Sequence, residues 1–184
     1  AGYEAATNST LLLPELMLLS TSADFRRGAF VATCGTSPAT ALAARMAGQI
    51  IAEYPALWPE TVRGLIVHSA SWTPTMQRAC PDRSSDKERG KFLLRTVGYG
   101  VPSLRKALEC AASRVTMLAQ CELAPFRIEK DQVIFNEMHV HSLPWPATTL
   151  TAQPFEKVRL KVTLSYFIEP NPGNRGYTST FRYP

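Results

Sequence analysis

The chain has 184 residues, 45% of them apolar, with 20 basic and 15 acidic side chains and a formal net charge of +5. That is enough for one domain with a real core, or for a core plus a small appendage. The basic residues are scattered instead of forming a stripe, which argues against a nucleic-acid partner. No apolar run reaches membrane-spanning length, since Leu11 to Leu19 is interrupted by Pro14 and Glu15. The cysteines at 34, 80, 110 and 121 show neither Cys-x-x-Cys spacing nor the density of a disulfide scaffold. Free thiols in a cytoplasmic protein without a cofactor are expected.

Ala1 to Asp24 reads as irregular, with loops at Asn8-Ser9-Thr10 and Ser20 to Asp24 around a short apolar segment. Phe25 to Gly28, with Arg26 and Arg27, reads as a solvated hairpin or loop. A short buried strand follows over Ala29 to Cys34. Gly35 breaks it, Ser37 stands at the turn, and Pro38 suits a first helical position because its missing N–H would lack a partner there. The helix from Ala39 to about Tyr54 is rich in small residues (Ala39, Ala41, Ala43, Ala44, Ala47, Gly48, Ala52) and is expected to be central and buried. A serine at its start lies at the positive end of the helix dipole, beside N–H groups without intrahelical partners. That environment suits a nucleophilic hydroxyl, and it equally suits an ordinary N-cap.

Pro59-Glu60-Thr61 opens a second helix to about Ala70, with Val62, Leu65 and Ile66 spaced to form one buried face. His68 near its end reads as a histidine placed favourably against the dipole. Trp72 to Lys91 reads as a polar surface connection with a possible short helix. Phe92 to Val97 fits a strand or a helix end. Gly98-Tyr99-Gly100 makes a turn into a last helix, Ser103 to Ala112, with Ser103 as N-cap.

Beyond Ala112 the period changes. Arg114 to Leu123, Gln132 to Leu143 and Lys157 to Phe167 read as strands, the last with Val158, Leu160, Val162 and Leu164 alternating with polar residues. Pro144-Trp145-Pro146 and Pro170 to Asn174 punctuate this part, and another strand is expected from Tyr177 to Arg182. The pattern predicts an antiparallel β appendage with one buried face. His139 and His141 would share a strand face and so could hold a metal, but Glu137 is the only same-face candidate beside them. A solvated Glu-x-His-x-His row is the reading taken, with no metal site.

Gly35-Thr36-Ser37 followed by Pro38-Ala39-Thr40-Ala41 resembles the serine motif of the subtilisin-like serine peptidases, Gly-Thr-Ser-x-Ala-x-Pro, with Ala41 where that family usually has proline. Ala43 to Ala47 resembles the family's small-residue helix. Tyr54 to Arg63, ending in Val67-His68-Ser69-Ala70, resembles its next turn and helix, and Gly98 to Pro102 with Leu104 to Leu108 its closing turn and last helix. The four segments run in order over about Ala29 to Ala112. Leu143-Pro144-Trp145-Pro146 and Leu164 to Pro172 resemble a C-terminal extension of a bacterial branch of the family.

The resemblance implies an α/β fold: the C-terminal part of a subtilisin-like parallel-sheet domain over residues 1–112, then a β-rich accessory domain, incomplete, over 113–184. It implies a serine endopeptidase acting on polypeptides with Ser37 as nucleophile, its backbone N–H an oxyanion donor, and Gly35 and Thr36 shaping the motif. A serine needs a base and a group to orient that base, and in subtilisin the order is Asp, His, Ser. Here no histidine precedes Ser37; His68, His139 and His141 all follow it. Asn8, the one asparagine before Ser37, does not sit in an oxyanion motif. The expectation is a nucleophile-bearing fragment, inactive without an upstream half that would be its partner; the alternative is a degenerate peptidase that binds without cutting. An α/β-hydrolase elbow, Gly-x-Ser-x-Gly, fails at Ala39.

Overall fold

The computed structural model describes residues 2–4, 9–11, 17–81, 85–112, 116–143, 147–152 and 160–168. The expectations for Pro144-Trp145-Pro146, Lys157 to Arg159, Pro170 to Asn174 and Tyr177 to Arg182 lie outside these residues. The chain forms two compact units, Ala1–Pro55 and Ala56–Pro184.

Among its described residues the first unit holds two small antiparallel sheets and one long helix. Strands β1 (Gly2–Glu4) and β2 (Ser9–Leu11) pair with Tyr3 opposite Thr10. Strands β3 (Leu18–Thr21) and β4 (Phe30–Thr33) pair with Leu19 opposite Ala32. Where it is described, the start expected to be irregular over Ala1 to Asp24 thus contains strands at Gly2–Glu4, Ser9–Leu11 and Leu18–Thr21. The turn between β3 and β4 carries Arg26 and Arg27 as expected. Asp24 holds it, accepting from the N–H of Arg27 (3.1 Å) and Gly28 (3.3 Å) and pairing with the Arg27 guanidinium at 3.3 Å.

Helix α1 spans Thr36–Glu53. Two expectations fail here. The serine strand is exposed along most of its length, with Phe30 64% and Val31 48% accessible. The helix is not buried either: Ile50 is its one buried residue, while Leu42 and Ile51 stay about half exposed. The small residues leave room for close neighbours, but no described strand of the same unit packs extensively along this helix. All described strand pairs in the chain are antiparallel, so a parallel sheet is not seen among the described residues.

The second unit has its core among helices. Helix α2 (Pro59–Ser69) starts with proline at its first position and places Glu60 in its first turn, where a carboxylate complements the dipole. Val62 and Leu65 are buried, as their spacing predicted. Helix α3 (Pro74–Arg78) is capped by Thr73, whose Oγ1 accepts from Met76 N at 3.2 Å. Helix α4 (Asp86–Val97) is capped by Ser85 in a Ser-x-x-Glu pattern, with Ser85 Oγ accepting from Glu88 N at 3.3 Å. The loop expected before Lys91 is therefore largely helical, and Phe92 to Val97 is a helix end.

Helix α5 (Leu104–Ala112) packs on α2 and contributes buried Ala107 and Cys110. Ser103 N donates to the buried Ser69 Oγ (3.1 Å), and Ser103 Oγ accepts from Lys106 N (3.4 Å). The Gly-Tyr-Gly turn locks this arrangement. Gly98 and Gly100 have φ of 58° and 93°, and Ser71 and Val101 exchange backbone hydrogen bonds of 3.1 and 3.0 Å. Trp72 Nε1 donates to Gly98 O at 2.9 Å.

The expected β appendage is reduced to one hairpin among the described residues. Strands β5 (Phe126–Glu129) and β6 (Gln132–Phe135) meet through Lys130 and Asp131, both at positive φ. Residues 116–125, 136–143 and 160–168 carry no helix or strand, and Ala147–Ala152 forms a short helix, α6. Residues 160–168 also reverse the expected orientation. Leu160, Val162 and Leu164 are 57%, 77% and 80% exposed, while Lys161, Thr163 and Ser165 bond to α2. The reason is chemical: α2 presents carbonyls, a histidine and Arg63 to this segment, and polar side chains satisfy them.

Candidate active site

Gly35 starts the site. Its φ of 143° lies in a region that L side chains rarely adopt, so the turn into α1 favours glycine. Gly35 occupies the N-cap position and, lacking a side chain, offers no side-chain cap to the first turn. Thr36 is the first helical residue and Ser37 the second. Pro38 thus falls third, two positions later than expected, still within the turn where a missing N–H costs nothing.

Ser37 is exposed, in the first turn of α1 and at the positive end of its dipole. The serine is not itself the N-cap, so the simple capping role expected as the alternative does not apply. No acidic residue stands in this turn to offset the dipole. A hydroxyl here is open to solvent, and an oxygen that gains negative charge at this end is favoured by the dipole and by N–H groups that have no intrahelical partner. Thr40 turns its hydroxyl back to Thr36 O at 2.8 Å.

The histidines belong to the second unit. His68 has structural partners: its Nδ1 lies 2.9 Å from Thr163 Oγ1. Lys161 Nζ donates to His68 O and, at 2.9 Å, to Ala70 O. A lysine thus satisfies the carbonyls at the end of α2. Burial, and then the Lys161 charge, push the His68 pKa down from its ordinary 6.5. This corrects the expected dipole-stabilised cation: the imidazole is biased towards neutrality. His139 and His141 lie beside Cys121.

Against known families, the model of the subtilase family (Peptidase_S8) matches residues 6–100, slightly more than half of the chain and including Gly35, Thr36 and Ser37. No curated protein and no solved structure matches the chain.

Proposed function

Because the chain belongs to the subtilase family, we propose that it carries the nucleophile of a subtilisin-type serine endopeptidase, and that the nucleophile is Ser37. The supporting observation is the exposed serine in the first turn of α1, after a glycine at φ 143° and inside the matched region. Ser37 Oγ attacks the scissile carbonyl of a polypeptide, and N–H groups of the helix start, its own included, receive the developing oxyanion. Gly35 and Thr36 set the turn. The general base and the acid that orients it come from an upstream half carrying the Asp, His and oxyanion Asn, so these 184 residues alone do not hydrolyse peptides.

The test is labelling with a fluorophosphonate probe. The isolated chain should stay near background, because loss of the histidine in subtilisin lowers turnover by about a millionfold. A longer parent carrying Asp, His and Asn should label at Ser37 and lose the label in Ser37→Ala. Strong labelling of the 184-residue chain would overturn the assignment of the base. A folded parent that never labels would favour a peptidase relative that binds polypeptides without cutting them.

A further inference from the structure

The β5–β6 hairpin has a consequence beyond its own strands. Its register pairs Phe126 with Phe135 and Glu129 with Gln132. Beyond the strands the two flanking segments stay close without forming a ladder, and Cys121 lies beside His139 and His141. The chain segments stay clamped along the way. Asn136 N donates to Pro125 O (2.9 Å) and Asn136 Nδ2 to Ala124 O (2.9 Å), while Ala124 N donates to Glu137 Oε2 (2.8 Å). Cys121 is thereby gathered with the pair His139 and His141, the first of them 18 residues further on, beyond the open end of the hairpin.

We propose that Cys121, His139 and His141 form a zinc site. One ligand atom from each lies within 4.8 Å of the others, and His139 Nδ1 stands 3.2 Å from Cys121 Sγ. The two imidazole rings meet edge to face with centroids 6.2 Å apart, which lets both turn a nitrogen to a common point. Zinc bonds of about 2.3 Å to sulfur and 2.0–2.1 Å to nitrogen set tetrahedral ligand separations of about 3.3–3.6 Å, so the observed spacing needs only small side-chain rotations to close. A thiolate with two imidazoles is a borderline-soft set that suits Zn²⁺ and not the oxygen-seeking Mg²⁺ or Ca²⁺. All three residues are exposed, so the ion reaches them without opening the core. Glu137 is already engaged by Ala124 N, which leaves the fourth position to water or to a group from elsewhere. Binding displaces the thiol proton and any imidazole protons, so affinity rises with pH.

The experiment is titration of the full 184-residue chain with Co²⁺ as the spectroscopic probe, then with Zn²⁺ in competition, in a non-thiol reductant. One cobalt per chain is expected, with tetrahedral d–d bands and a thiolate charge-transfer band, both lost as zinc displaces it. Cys121→Ser should abolish the charge-transfer band, and His139→Ala or His141→Ala should each weaken binding by at least about tenfold, the lower limit for perturbing even an outer-shell partner. Cys34→Ser, which changes another exposed thiol, should leave titration and spectrum unchanged. Circular dichroism matching the parent shows that each variant keeps its fold; exposed positions 121, 139 and 141 favour this. No cobalt binding by the folded chain, binding without a thiolate band, or an unchanged spectrum in Cys121→Ser would overturn the site.

Discussion

At the scale of single residues, Gly100 leaves the least room for a side chain among the described glycines. Its φ is 93°, and a Cβ placed there would lie 2.3 Å from Ser71 O and 2.8 Å from Trp72 N. Backbone atoms held by the Ser71–Val101 exchange cannot swing aside as a side-chain tip can. Gly100→Ala should therefore destabilise the second unit by about 2–6 kcal/mol, the sum of an unfavourable backbone conformation and a forced displacement, read as a lower urea midpoint. Gly98→Ala, with no atom near its Cβ position, should cost only the conformational part, about 1–3 kcal/mol. His68 adds a pH dependence. Its folded pKa is lowered, first by burial and then by Lys161, so the unfolded chain takes up the proton more readily. Stability from this group is complete above its ordinary value of 6.5 and declines as pH falls through the lower folded value. An NMR titration should place His68 below 6.5, and Lys161→Gln should raise it part of the way back, since burial remains.

At the scale of elements, the caps explain which parts of the sequence were legible. Ser85 begins α4 with Glu88 three residues on, and Ser85→Ala should cost about 1 kcal/mol, with loss of amide protection confined to the first turn. Helices α2 and α5 could be read because proline, serine and apolar spacing act locally and agree with one another. Helix α4 was partly hidden because the same charges that suit a helix face also suit a loop. The strands were read worst. Lys157 to Phe167 alternates well, yet alternation names two faces without saying which one turns inward, and here the hydrogen bonds offered by α2 decide for the polar one. The serine motif was legible as a string of residues, and its helix followed nearly as read. The burial did not follow, because burial depends on what covers an element and not on the element. Cys121 as a companion of the histidines was not legible, because it lies 18 residues before His139 and no strand register carries it to their face.

At the scale of the whole molecule, the two units differ in what they have been given to fold on. The second has a shared core in which α2 and α5 pack together and buried Ser69 is satisfied by Ile66 O (2.8 Å) and by Ser103 N. The first buries Ile50 and little else among its described residues, leaving Phe25, Phe30, Leu42 and Ile51 accessible. The serine proposed as the nucleophile stands on that less covered unit.

The hold of Lys161 on the end of α2 also sets an order in time. The β5–β6 hairpin closes through two residues, and hairpins of that kind form in about 1–10 μs. The contacts of Lys161 with His68 and Ala70 span 93 and 91 residues. During synthesis at about 5–20 residues per second, those carbonyls wait several seconds for their donor. Over that interval α2 ends in carbonyls answered by water, and His68 has neither Thr163 nor the nearby ammonium. Until residues 161–163 arrive, His68 lacks the Lys161 charge that, second to burial, holds its pKa down in the folded protein.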